Sequence, residues 1–157
     1  MKKTSVLFVC LGNICRSPAA EAIFIKLIKE KNQYSNFIVD SAGTGSWHEG
    51  KKADSRMRFA AKRRGINIES IARQIKIKDF ENFNYILAMD NSNFENLISL
   101  QKSSEYKSAK ITKLQLYANT FLAEEVPDPY YGGDDGFERV LDILEDSVDG
   151  FLKKIQS

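Results

Sequence analysis

Short apolar runs alternate with stretches of helical spacing along the whole chain, and this alternation is what most constrains the fold. Thr4 to Val9 reads as a short apolar strand. After the segment Cys10 to Ser17, the residues Ala20, Ile23, Phe24, Leu27 and Ile28 recur at helical spacing. Ser17 is predicted to cap that helix, with Pro18 at its first position, where a missing N–H costs nothing. Phe37 to Asp40 predicts a second strand, followed by the loop SAGTGSWHEG. Asp54 then caps a helix that turns Met57, Ala60 and Ala61 inward and stops at Gly65. Tyr85 to Met89 predicts a third strand, Asp90 or Asn91 caps a helix through Phe94, Leu97 and Ile98, and Lys110 to Leu116 gives a weaker fourth strand. A last amphipathic helix carries Phe137, Val140, Leu141, Leu144, Val148, Phe151, Leu152 and Ile155. Strands alternating with helices predict an α/β fold, a parallel sheet with helices on both faces.

At 157 residues the chain has the size of one domain, spanning 1–157, and no linker, repeat or low-complexity tract divides it. A domain of that size buries about 68–70% of the surface of its unfolded chain, so neither a disulfide nor a structural metal is needed. Cys10 and Cys15 are the only cysteines and His48 the only histidine, too few for a disulfide framework or an ordinary Cys/His zinc site. No metal or cofactor is expected, and a reducing cytoplasm is the expected location. The opening MKKTSVLFVC has the lysines of a signal peptide, but its apolar stretch is short and runs into Gly, Asn and Arg. No apolar run approaches the ~18 residues of a membrane span, so no membrane partner is expected. The net charge of +2, from 23 basic and 21 acidic residues, argues against nucleic acid as a bulk partner. Basic residues nevertheless crowd Lys51 to Arg64 and acidic ones Glu124 to Asp149. Such runs are mostly solvated faces; an anionic partner on the basic stretch is the alternative reading.

In open parallel sheets, ligands collect at the carboxyl ends of strands, and helix N-termini offer unpaired N–H groups to anions. Cys10 sits at that junction. Five residues, Leu11, Gly12, Asn13, Ile14 and Cys15, separate it from Arg16. Wrapped around a tetrahedral anion, a loop of this length aims its backbone N–H groups inward, with Gly12 or Asn13 taking left-handed angles. Arg16 closes the ring with a bidentate fork suited to phosphate oxygens. A cysteine at a helix N-terminus beside arginine is expected to ionise and serve as a nucleophile, with the Ser17 hydroxyl stabilising its sulfur. The alternative, a small buried cysteine ending a strand, leaves the rest of the loop without a purpose.

The segment CLGNICRSP after an apolar strand resembles the phosphate loop of the low-molecular-weight protein tyrosine phosphatases. The resemblance extends through VLFVCLGNICRSPAAEAIF, DSAGTGSWHEGKKADSR, ARQI, FNYILAMD and PDPYYGG. It implies a single-domain, open twisted four-stranded parallel sheet with a phosphate-binding loop after the first strand. It also implies a cysteinyl-phosphate intermediate on Cys10, no metal, and phosphotyrosine-containing protein as substrate. Inorganic phosphate and other oxyanions are then expected to compete for the loop.

A leaving phenolate needs a proton, and Asp128, held in a turn stiffened by Pro127 and Pro129, is the candidate acid. Without the loop, Asp-Pro would be only a turn. In the resembling family the aspartate of this turn is the general acid. Trp47, Tyr130 and Tyr131 are expected to wall the pocket mouth, so that a planar phenyl ring fits and phosphoserine is too short to reach the thiolate. Cys15 either traps oxidised Cys10 as a disulfide, as the family pair implies, or simply packs. Asn13 and Ser41 are expected to support the loop. Many family members have a histidine where this chain has Ser70, so part of the support must be built differently. His48 reads as a surface loop residue. Arsenate reduction on the same scaffold needs further thiols. A phosphoarginine phosphatase is a nearer rival, against which the resemblance sets the branched side chain of Ile14. A phosphotyrosine-reading adaptor, or a thiol redox sensor that binds anions without turnover, is the alternative from another class; the set Cys10, Arg16, Ser17 and Asp128 speaks against it, because binding alone requires neither the nucleophile nor the acid.

Overall fold

The first strand, β1 (Thr4–Cys10), is buried on both faces, which is why its sequence is apolar without alternation. It lies between β2 (Phe37–Gly43) and β3 (Tyr85–Ala88), with β4 (Lys110–Lys113) outside β3, and all pairings are parallel. The structure, a computed structural model, describes residues 2–121, 125–129 and 134–157. Among the described residues five α-helices accompany the sheet: α1 (Arg16–Glu30), α2 (Ser55–Lys62), α3 (Asp79–Asn82), α4 (Asn91–Lys102) and α5 (Asp134–Gln156). Among the described residues no helix is long and apolar enough to cross a membrane.

The alternating side chains of β1 feed two cores. Val6 and Phe8 join Phe24 of α1 and Val148 and Phe151 of α5 on one face; Leu7 and Val9 join Phe80, Ile86 and Leu97 on the other. Phe24 is the hub of the larger core, with ring centroids 5.9 Å from Phe8, 5.2 Å from Phe37 and 5.9 Å from Phe151. Truncating such a fully buried ring to alanine costs about 3–5 kcal/mol. The strand order β2-β1-β3-β4 reverses direction at β1, so the crevice a parallel sheet offers to ligands opens at the carboxyl end of β1, beyond Cys10.

Three sequence expectations are corrected in detail. The second strand continues past Asp40 to Gly43, because Ser41, Ala42 and Gly43 pair with Phe8, Val9 and Cys10 despite their low strand propensity. A Cβ on Gly43 would lie 2.8 Å from the Leu11 carbonyl oxygen, so only glycine lets the loop after β1 approach this strand. The fourth strand ends at Lys113, opposite Ala88 at the end of β3; the chain then turns into a 3₁₀ segment, Leu114–Tyr117, that buries Leu114. Helix α1 begins at Arg16, with Cys15 in the cap position and no side-chain cap. Ser17 and Pro18 therefore lie inside the first turn, and the Ser17 hydroxyl is directed to Cys10 instead.

Part of the crowded charge is paired across the fold. Arg63 lies 2.6 Å from Glu138, and Arg64 lies 2.8 Å from Glu138, 3.0 Å from Asp142 and 2.7 Å from Glu145, tying the end of α2 to α5. Arg56 pairs with Asp54, which also caps α2 as predicted.

Candidate active site

The loop from β1 to α1 folds around the sulfur of Cys10. Asn13 takes the left-handed conformation, φ 58°, where asparagine is tolerated better than other non-glycine residues. This bend brings the Asn13 N–H to 3.3 Å from Cys10 Sγ. Ser17 Oγ lies 3.0 Å from the same sulfur. One contact comes from the middle of the loop and the other from the first turn of α1.

The Asn13 side chain holds the bend from behind. Its Nδ2 donates to Ser17 Oγ at 2.8 Å and to Ser41 Oγ at 3.0 Å, while its Oδ1 accepts the Arg73 N–H at 2.9 Å. Ser41 is thus brought to the loop as expected, and the extension of β2 to Gly43 is what places it there.

Arg16 is 3% exposed. Its Nη1 donates to Asp90 Oδ2 at 2.6 Å and to the Val126 carbonyl at 3.1 Å, and its Nη2 lies 3.6 Å from Asp128 Oδ2. Burial works against the charged guanidinium, but Cys10, Asp90 and Asp128 outweigh it and hold Arg16 protonated. Asp90 is the residue that sequence reading assigned only to a helix cap. Its position directly after β3, at the ligand-bearing edge of the sheet, is the signal that marks it.

Cys10, Arg16 and Asp128 share a cavity of about 430 Å³ that Ile14, Trp47 and His48 also line. Leu11, Gly12 and Cys15 complete its floor. Trp47 is 67% exposed, and a Cβ on Gly45 would fall 1.9 Å from its ring, so glycine there lets the indole lie against the loop backbone. His48 is nearer the cavity than its reading as a surface residue implied: its Cδ2 would meet a Cβ on Gly12 at 3.0 Å. Tyr130 and Tyr131 lie outside the described residues. Cys15 is a buried free thiol. Burial, with the anionic character of Asp54, Cys10 and Asp128, pushes its pKa far above the ordinary value, so Cys15 stays protonated.

The low molecular weight phosphotyrosine protein phosphatase family model matches residues 5–157. The chain belongs to this family. The human low molecular weight phosphotyrosine protein phosphatase is 44% identical over 152 residues, covering 96% of this chain and 94% of the relative. The fold of this phosphatase also matches a crystal structure of a protein tyrosine phosphatase from Entamoeba histolytica with Hepes in the active site. There the TM-score is 0.93 and the identity 50%, over 98% and 97% of the two chains. A Drosophila arginine phosphatase structure is similar as well, with a TM-score of 0.91 and 36% identity over 100% and 99%. The resemblance carried by the loop after β1, the loop after β2 and the segment around Asp128 therefore extends over the fold, and the chain is a protein tyrosine phosphatase.

Proposed function

We propose that this phosphatase hydrolyses phosphotyrosyl groups of proteins by two phosphoryl transfers through Cys10. The observation that carries the reading is the position of Cys10 Sγ, in the cavity that Arg16 and Asp128 share, with Ser17 Oγ at 3.0 Å and Asn13 N at 3.3 Å. Both groups are placed to hydrogen-bond the sulfur when its bond to phosphorus breaks.

In the first transfer the thiolate attacks phosphorus, the S–P bond forms and the P–O bond to the tyrosine breaks. The carboxylic acid of Asp128 protonates the departing phenolate. In the second, water attacks the cysteinyl phosphate and gives its proton to the Asp128 carboxylate. The S–P bond breaks and its electron pair returns to Cys10, where the Ser17 hydroxyl stabilises it. Arg16 and the loop amides between Leu11 and Ser17, apart from that of Asn13, which faces the sulfur, hold the equatorial oxygens throughout. No metal or cofactor enters the scheme. Trp47, Tyr130 and Tyr131 are assigned to the walls of a slot deep enough for an aryl ester, and Ile14 to its selection against phosphoarginine. Inorganic phosphate and other oxyanions compete for the loop, a reading supported by the Hepes, a sulfonic acid, in the active site of the Entamoeba relative. Residues 1–157 act as one unit, the location is the cytoplasm, and Cys15 traps oxidised Cys10.

The test is steady-state hydrolysis of a phosphotyrosine peptide beside phosphoserine, phosphoarginine and arsenate controls, in EDTA with fresh reductant, with Cys10→Ser as the blank. Release from phosphotyrosine alone, absent in the blank, is the expected result. Turnover by Cys10→Ser would end the covalent scheme, and faster phosphoarginine hydrolysis would move the substrate class.

A further inference from the structure

Glu21 stands one helical turn beyond Ser17 on α1, on the same face, and borders a second cavity of about 390 Å³ that Ser70 also borders. Its carboxyl accepts the Ser41 hydroxyl at 2.5 Å and a hydrogen bond from Ser70. With its proton committed to Glu21, Ser41 Oγ can only accept from Asn13 Nδ2, at 3.0 Å. The second hydrogen of that amide goes to Ser17 Oγ at 2.8 Å, and the Arg73 N–H fixes the amide from its oxygen end at 2.9 Å. Ser17, an acceptor towards Asn13, keeps its own proton for Cys10 Sγ at 3.0 Å; the Ala42 carbonyl, at 3.4 Å, is the weaker competitor. Every donor and acceptor from Glu21 to Cys10 is therefore used in one direction.

We infer that Glu21 is a positioning residue for the phosphatase reaction, setting the polarity of a relay through Ser41, Asn13 and Ser17 that aims a hydroxyl proton at the Cys10 sulfur. The inference rests on Cys10 as the nucleophile and adds a residue that touches neither substrate nor sulfur. It also accounts for how the loop is supported with Ser70 in place of a histidine: the far end of the support is a carboxyl.

The surroundings of Glu21 make the relay sensitive to pH. Burial raises its pKa most, Asp40 of β2 raises it further, and Ser41, Ser70 and Arg73 lower it, leaving it at about 7. Lys26, Lys29 and Glu69 border the same cavity. Below neutral pH Glu21 is a carboxylic acid that can donate to Ser41, and the anionic acceptor that polarises the relay is gone. Above it the carboxylate holds the Ser41 proton. The step most affected is the breaking of the S–P bond, when the electron pair returns to the sulfur.

Glu21→Gln keeps an acceptor for Ser41 and removes the titration; Glu21→Met removes both. Burst and steady-state kinetics with an aryl phosphate, from pH 5.5 to 8, are compared with the unchanged protein. Exchanging a charged for a neutral acceptor predicts a Glu21→Gln to unchanged kcat ratio near 1 at pH 5.5, falling to about one-fifth at pH 8 with its midpoint near pH 7. Glu21→Met is expected to lose about tenfold in kcat at pH 8, with KM falling in parallel as phosphoenzyme accumulates. Adding Ser41→Ala to Glu21→Met should cost no further activity, since the relay is already cut. A Glu21→Gln ratio independent of pH overturns the inference, whether or not Glu21→Met folds, and so does a full additive loss from Ser41→Ala. Turnover in a Cys10→Ser control would instead remove the nucleophile itself, an outcome that the pH ratio does not mimic.

Discussion

The two oxygens of Asp90 join the start of a helix to the buried arginine of the site: Oδ1 accepts the Asn93 N–H at 2.8 Å, and Oδ2 lies 2.6 Å from Arg16 Nη1. Without this anchor, Arg16 keeps only the Val126 carbonyl and the more distant Asp128, and is drawn towards the residue proposed as the acid. Asp90→Ala should raise the inhibition constant of phosphate and the KM for an aryl phosphate by roughly 10- to 100-fold, the scale on which misplacing a positioning group acts. It should also lose a helix cap worth about 1 kcal/mol. Asp90→Asn, which can still cap α4, should keep the melting temperature and lose the affinity. Equal loss of both in the two variants would reduce Asp90 to a cap.

Asp128 faces Arg16 at 3.6 Å with about a third of its side chain exposed, a position open to a leaving oxygen in the cavity. Asp128→Asn should slow esters with poor leaving groups by about 10²–10⁴-fold and leave those with strongly acidic phenols nearly unchanged. A series of aryl phosphates gives the slope directly. Equal slowing across the series would take Asp128 out of the acid role.

That Cys10, Arg16 and Asp128 gather in one cavity was legible in the sequence because each lies in a local device: Cys10 and Arg16 at the two ends of one loop, Asp128 between two prolines. The sheet was legible for a similar reason, since β1 and β3 are apolar runs and β3 is followed by the helix cap Asp90. What the sequence concealed depends on contacts between distant segments. The last residues of β2 are Ser, Ala and Gly, and only their pairing with β1 makes them strand. Asp90 and Arg16 are separated by 74 positions, and Asn13 and Arg73 by 60, so nothing in the local pattern announces either bond. His48 looked peripheral because its approach to Gly12 follows from the path of a loop, which no periodicity describes. The charge runs were visible, but their mutual pairing across α2 and α5 was not.

The left-handed bend at Asn13 separates backbone from side-chain effects. Asn13→Ala both strains the backbone at φ 58° and removes the amide that binds Ser17 and Ser41. Asn13→Gly removes the amide alone. The alanine variant should therefore be less stable than the glycine variant by about 1 kcal/mol in chemical denaturation, while both lose a comparable part of kcat. If glycine restores full activity, the Asn13 amide contributes nothing beyond the bend.

Asp146 on α5 anchors the segment that leads in sequence towards Asp128. Its carboxylate accepts the N–H groups of Asn119 at 3.1 Å, Thr120 at 2.9 Å and Phe121 at 3.0 Å. Burial opposes the charge, but these backbone donors outweigh it and hold the pKa below the ordinary aspartate value. A depressed folded-state pKa means stability that is present above the unfolded value of about 3.9 and is lost as pH falls through the lower folded one. Asp146→Asn replaces one acceptor oxygen with a donor that faces the same N–H groups. It should lower the melting temperature at pH 7 and bring the variant and the unchanged protein progressively closer together as pH falls from about 3.9 towards the lower folded-state pKa of Asp146. Melting curves at pH 3, 5 and 7 decide it: a gap of constant size would mean that the three hydrogen bonds do not depend on the charge, and that the segment is held by packing of Phe121 against the core.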